Sequence, residues 1–264
     1  MSLSASAGSH DVFTLDGARL GDVLPELRDA WNTSSPFKHV VQDSFLSEND
    51  ARILSEHFPK PDHPVWLDWK KRSPFQYGKQ GPGNSTRFSL LDWQFRQALY
   101  EFNSSQFLEF LEGVTSITRL IPDPYFSGGG MHQILNGGVL DIHTDFNFYE
   151  KLNLYRRLNV LLYLTTHWEE NYGGSLELWE NAPRLGGKCF KSIAPIYNRL
   201  VIFETDKTSF HGHPQEWRAP AGIYRRSIAL YYYTVEKVEN KLYDANTDFQ
   251  GYASKELPPS VDHK

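Results

Sequence analysis

Residues 139–179 read VLDIHTDFNFYEKLNLYRRLNVLLYLTTHWEENYGGSLELW, a stretch whose texture changes every few positions. Val139-Leu140-Asp141-Ile142 is a short apolar run, Leu158 to Leu164 is a second, and Ser175-Leu176-Glu177-Leu178-Trp179 follows a Gly173-Gly174 turn. Short runs of aliphatic and aromatic residues cut off by turn residues read as strands. Two more come later, Arg199-Leu200-Val201-Ile202-Phe203 and Arg225 to Thr234. Strands of this number and spacing predict an antiparallel sandwich or barrel. An aromatic content of 14% suits that better than a helical bundle.

Before residue 117 the signals are helical. Ser47 is placed as an N-cap with Glu48 and Asp50 in the first turn, Ala51, Leu54 and Phe58 share a face, and Pro59 ends the run. A second helix is expected over Leu90 to Phe102 and a third over Phe107 to Leu111, stopped by Gly113. Between the first two lies WLDWKKRSPFQYGKQGPGNST, residues 66–86, which has no periodicity. It predicts a long loop, and its Trp66, Trp69, Lys70, Lys71, Arg72 and Tyr77 suit a lid at a substrate entrance. The layout is therefore mainly β, helices first and a β core after them. We expect a single domain over residues 1–264, with 1–12 flexible, the core and its flanking helices within 37–235, and 236–264 a polar C-terminal tail.

A net charge of −5 and a pI near 6.1 argue against nucleic acid or an anionic membrane as partner. The opening MSLSASAGSH has neither the basic nor the apolar region of a signal peptide. The apolar run around Val160 to Leu164 is far short of the ~20 residues a membrane span needs. Cys189 is the single cysteine, so no intrachain disulfide forms and a reducing compartment is the simplest expectation. The chain reads as soluble and cytoplasmic.

Three features carry chemistry. His143 and Asp145 flank Thr144 after an apolar strand, and residues two apart in an extended chain point the same way. His211 follows, 66 positions after Asp145 and just past the Arg199–Phe203 strand. Two imidazoles and a carboxylate on one face of a metal leave the opposite positions open, as non-haem iron(II) oxygenases require. The third feature is Arg225-Arg226-Ser227, opening the last strong strand 14 positions after His211. Adjacent arginines on a strand face opposite sides. Arg225, Ser227 and Ala229 form the roomier face, whereas Arg226, Ile228 and Leu230 look like packing, so Arg225 is the preferred anchor for a carboxylate.

With these residues in order, the chain resembles the 2-oxoglutarate/Fe(II)-dependent oxygenase superfamily, in its prolyl-4-hydroxylase-like branch. The resemblance runs through GGGMHQ (128–133), HTDFN (143–147), 156–179, NRLVIFET (198–205), SFHGHP (209–214) and RRSIALYYYT (225–234), with a weaker likeness over 37–54. It implies a double-stranded β-helix (jelly roll), with His143, Asp145 and His211 as iron ligands. It also implies Arg225 and Ser227 at the distal carboxylate of 2-oxoglutarate, with Tyr163 either joining them or serving as a core residue. By the same pattern, Ser209-Phe210-His211-Gly212 favours His211 over His213 as ligand. The implied cofactors are Fe(II), 2-oxoglutarate as co-substrate and O2. The implied reaction is hydroxylation of an amino-acid-like, peptide or secondary-metabolite substrate, with release of succinate and CO2. Desaturation, epimerisation and cyclisation are open to the same chemistry. Halogenation is not, because Asp145 stands where related halogenases carry a small residue.

His132 and His167 read as structural or pocket-edge residues, and Asn147 and Asn159 as either cavity-facing or buried and satisfied. A jelly-roll binding module without catalysis is the rival of another class, and the intact triad with Arg-x-Ser speaks against it. A zinc hydrolase is a second rival, and no His-Glu-x-x-His is present to support one. Composition and motifs leave the oligomeric state open.

Overall fold

Alternation along the central strands divides the molecule into a helical backing and a cavity. The computed structural model describes residues 12–68 and 73–253. Its helices are α1 (Gly17–Thr33), α2 (Glu48–Glu56), α3 (Trp93–Glu101) and α4 (Ser105–Thr115). The strands before the family-like core are β1 (His39–Gln42), β2 (Leu67–Asp68), β3 (Lys79–Gly81) and β4 (Ile121–Pro122). Those that follow are β5 (Gly130–Ile134), β6 (Leu140–Thr144), β7 (Phe148–Tyr149), β8 (Leu154–Tyr163), β9 (Leu176–Trp179), β10 (Cys189–Ile193), β11 (Arg199–Glu204), β12 (Phe210–His213), β13 (Arg225–Thr234) and β14 (Asp248–Phe249).

Two antiparallel sheets result. The larger runs β1-β11-β8-β13-β5-β3-β2, with β4 on β13 and β7 on β8; the smaller runs β10-β9-β12-β6-β14. Leu158, Val160 and Leu162 of β8, with Ile228, Leu230 and Tyr232 of β13, pack outward against Leu27, Leu54, Leu99 and Phe107 of the helices. Residues of the opposite parity, Tyr163, Val201 and Phe203, meet Leu176, Leu178 and Ile193 of the smaller sheet. This is the expected jelly roll with helices against one sheet.

Several local expectations change. α1 was not anticipated: Pro25 interrupts its pattern, and only Leu20, Leu27 and Trp31 are buried. Gly113 lies inside α4 rather than after it, and a Cβ there would come 2.7 Å from Leu24 of α1, so close approach of two helices is its use. Ser116 in the left-handed region closes α4 instead. Ser47 caps α2 as expected, accepting from the Asp50 N–H. α3 begins at Trp93, after a 3-10 turn over Ser85–Leu90.

Within the described part of the 66–86 segment, β2 and β3 are strands that extend the larger sheet beside β5. Trp69, Lys70, Lys71 and Arg72 lie outside the described residues, as do 1–11 and 254–264. Part of the expected C-terminal tail is sheet: Asp248 and Phe249 pair with Thr144 and His143 of β6. The Asp141 carboxylate accepts from the N–H groups of Gly251 (2.6 Å) and Ala253 (2.7 Å), and Asn147 accepts from Asp244 N–H (2.8 Å) while donating to the Leu242 carbonyl (2.9 Å).

Candidate active site

β6 and β12 are neighbours, with His143 directly opposite His211. Their rings lie 4.4 Å apart between centroids. His143 Nδ1 is 2.7 Å from the Asp141 carbonyl and His211 Nδ1 is 2.9 Å from the Ser209 carbonyl. A carbonyl can only accept, so both Nδ1 atoms carry the proton and both Nε2 atoms present lone pairs. Those lone pairs face the Asp145 carboxylate, at 3.5 Å from His143 and 3.3 Å from His211. Burial, then the neighbouring His211, pushes His143 below its ordinary range, favouring the neutral ring. Three acceptors converge, with ligating atoms all within 4.8 Å of one another. A divalent cation answers that arrangement, and a two-imidazole, one-carboxylate donor set fits iron(II). Among the described residues, this triad is the one group of three such side chains that could hold a metal.

The carboxylate is oriented from the other sheet. Asn159 Nδ2 donates to Asp145 Oδ2 at 2.7 Å, and Arg156 Nη2 donates to the same oxygen at 3.1 Å. Arg156 also donates to Asn159 Oδ1, through Nε at 2.8 Å. Burial alone would raise the Asp145 carboxyl, but Arg156, His211 and His143 outweigh it and hold the group well below the usual carboxylate range.

A cavity of about 220 Å³ opens beside the triad, lined by both sheets. Arg225 and Ser227 face into it as the strand parity predicts, whereas the Arg226 guanidinium lies outside, over the Phe58 ring at 5.1 Å. Arg225 Nε donates to the Gly174 carbonyl at 2.6 Å and Nη2 to the Tyr163 hydroxyl at 3.3 Å. Gly174, at φ +71°, is needed there: a Cβ would sit 3.0 Å from the Arg225 Cδ. Tyr163 is fully buried and acts here as the partner of Arg225. No carboxylate among the described residues pairs with Arg225, so a fixed, desolvated guanidinium is left to receive one.

His213 lines the cavity as well, but it is not part of the converging group. His132 stands at the cavity wall with Nε2 2.9 Å from the Gly128 carbonyl. His167 is not among the lining residues, and Asn147 holds the C-terminal segment rather than the site. Sequence reasoning missed Lys79, Arg156 and Phe249 and left Asn159 undecided. Phe249 closes the wall, stacked on Phe75 at 5.2 Å and beside His143 at 5.3 Å.

Residues 129–233, which contain the triad, Arg225 and Ser227, match the family model of the 2OG-Fe(II) oxygenase superfamily. Over these residues the chain is similar to that superfamily. Members of this superfamily use iron(II), 2-oxoglutarate and dioxygen. Over 57 residues this chain is 40% identical to prolyl 3-hydroxylase OGFOD1 of Mus musculus, a match that spans 21% of this chain and 10% of the relative. The match to the Xenopus laevis protein of that name is 41% over 59 residues, 21% of this chain and 11% of the relative. The chain thus aligns with about a tenth of the length of these curated relatives. Among solved structures, it resembles a Trichoplax adhaerens prolyl hydroxylase in complex with a hypoxia inducible factor peptide fragment. The TM-score is 0.56 at 16% identity, covering 83% of this chain and 94% of the other. A non-heme alpha ketoglutarate dependent epimerase, SnoN from nogalamycin biosynthesis, gives a TM-score of 0.55 at 10% identity, covering 87% and 95%. At these identities the likeness establishes the shared fold.

Proposed function

We propose that this oxygenase hydroxylates a proline-like substrate, in a peptide or as a small molecule, consuming 2-oxoglutarate and dioxygen and releasing succinate and CO2. The observation that carries this is the pairing of His143, Asp145 and His211 with an unpaired, anchored Arg225 across one cavity. Bound iron(II) would supply the oxygen activation that couples decarboxylation of the keto acid to oxidation of a substrate C–H bond. The chain's own groups do the rest. Arg225, with Ser227 beside it and Tyr163 behind it, holds the distal carboxylate of 2-oxoglutarate. Asn159 and Arg156 fix the Asp145 oxygen, and Phe249 with Phe146 keeps water from the cavity. The prolyl hydroxylases among its relatives support proline as the substrate class. A hydrolase is disfavoured because Asp145 is the one carboxylate among the described lining residues, leaving no acid to act as general base.

Among the described residues no helix is long and apolar enough to cross a membrane. The free, exposed Cys189 supports a reducing location, the cytoplasm. The reading is tested by anaerobic titration of iron(II) into protein holding 2-oxoglutarate, followed by the visible charge-transfer absorption of a chelated α-keto acid. A saturable band is expected from the wild-type chain and none from His211→Ala. A wild-type chain without the band defeats the reading.

A further inference from the structure

Lys79 is a charged cavity residue that the oxygenase reading does not use. Its Nζ has one hydrogen-bond partner, the neutral Gln76 Oε1 at 3.4 Å, and no carboxylate pairs with it among the described residues. It lines the same cavity as the triad, at the outer end of a row that crosses three strands: Lys79 lies opposite Ile134, and Ile134 lies opposite Arg225. Two interstrand steps of ~4.8 Å separate the Lys79 and Arg225 backbones by roughly 10 Å. The Arg225 guanidinium turns the other way, toward Tyr163 on β8 and the Gly174 carbonyl. The two cations therefore address different parts of the cavity. His132 and His213 line the same cavity; His213 is 2% exposed, and its buried Nδ1 has no hydrogen-bond partner.

Charge makes the same point. The charged residues lining the cavity are Lys79, Arg156 and Arg225 against Asp145 alone. Arg156 is already paired with Asp145. Iron(II) and doubly ionised 2-oxoglutarate cancel each other, so the loaded site keeps two positive charges in excess. Isolated buried charge is costly unless something binds to it.

We infer that Lys79 and the wall beside it form a subsite for a carboxylate of the substrate, separate from the one that holds the co-substrate. The inference rests on the oxygenase reading above and adds the substrate's charge to it. Burial pushes the Lys79 ammonium down to about 8, with Asp145 opposing and Arg156 and Arg225 adding to the effect; a carboxylate seated against it would reverse that displacement. The carboxylate has two sources, the α-carboxylate of proline itself or of a chain terminus, and an acidic side chain next to the target proline.

The test uses the full chain loaded anaerobically with iron(II) and 2-oxoglutarate, and measures binding calorimetrically for two matched pairs. N-acetyl-L-proline against N-acetyl-L-prolinamide isolates the α-carboxylate. N-acetyl-prolyl-aspartamide, with its side-chain acid free, against the asparagine analogue isolates the side chain. At least a tenfold preference for the acid is expected in one pair, and which pair shows it names the source. Lys79→Met should abolish the preference and Lys79→Arg should keep it, so loss of charge is separated from loss of fold. No preference in either pair, or a preference that survives in Lys79→Met, overturns the subsite. So does a loss of 2-oxoglutarate affinity in Lys79→Met as large as in Arg225→Ala, which would put Lys79 in the co-substrate clamp. A wild-type chain that fails to bind 2-oxoglutarate with iron(II) would instead overturn the oxygenase reading itself, so the two failures are told apart.

Discussion

The two sheets face one cavity but hold their functional groups by different means. Behind the larger sheet stand four helices, and the outward residues of β8 and β13 are sealed into that core. The smaller sheet has no such backing at its β10 edge, where Cys189, Phe190, Lys191 and Ser192 are exposed. Arg225 is therefore placed by a strand that packing immobilises. The metal-site residues of the smaller sheet are placed by polar contacts: the Asp141 and Ser209 carbonyls on the histidines, and Asn159 and Arg156 reaching over to Asp145. Precision at the candidate metal site thus comes from hydrogen bonds, and half of those bonds originate on the opposite sheet.

The largest effect should come from the smaller sheet's own ligands. Asp145→Ala or His211→Ala should abolish iron binding and cut activity by roughly a thousandfold or more while circular dichroism stays native, because an open facial site has no spare ligand. A His211→Ala protein that still turns over would move the ligand role to His213.

Next in size is the contrast between the two arginines of β13. Arg225→Ala removes charge-assisted hydrogen bonds and should weaken 2-oxoglutarate by about 10–100-fold, whereas Arg226→Ala should leave it within about twofold. Equal losses would mean that packing of the larger sheet, rather than the direction of Arg225, sets co-substrate affinity.

The cross-sheet support is probed by Asn159→Ala. Iron affinity should fall roughly tenfold, the low end for an outer partner of a metal ligand, since Arg156 still holds Asp145. Unchanged affinity would show that the smaller sheet positions Asp145 alone.

The smallest expected effect has the opposite sign. Lys79→Met removes an ammonium that the fold desolvates, and at pH 7 should stabilise the empty protein by about 1–3 kcal/mol, the linkage value discounted for partial exposure. Because the folded-state value is lowered to about 8 from 10.5, the wild-type penalty is full below pH 8 and fades as pH rises toward 10.5. Thermal unfolding of both proteins at pH 7 and pH 10 checks this: the gap should shrink at the higher pH.

The strands, the His143–Asp145 pair and the inward arginine were readable because each depends on local alternation, whereas His211 was preferred to His213, which shares its parity, by the Ser-aromatic-His-Gly pattern of the family it resembles. His143 and Asp145 are two apart, and Arg225, Ser227 and Ala229 share one parity. Arg156 breaks that logic. By simple alternation it belongs with Leu158, on the helix side, but a bulge at Arg157 sets Tyr233 opposite Arg156 and Tyr232 opposite Leu158, turning Arg156 into the cavity. Lys79 was hidden for another reason: it sits among glycines and prolines where no period operates, and only its pairing with Ile134 directs it inward. Phe249 belongs to a two-residue strand that owes its existence to β6, more than a hundred positions earlier in the chain.

That last contact has a consequence for synthesis. The Asp141 carboxylate waits for the Gly251 N–H, a partner 110 residues away. At ribosomal rates of ~5–20 residues per second, it emerges roughly 5–20 seconds after β6. During that interval the β6 edge is unpaired, and the wall that Phe249 will form is missing while both ligands of β6 and its turn are already made. His211 emerges 70 residues after Asp141 and 40 before Gly251, so the triad is complete before the strand that carries Phe249 can close over it.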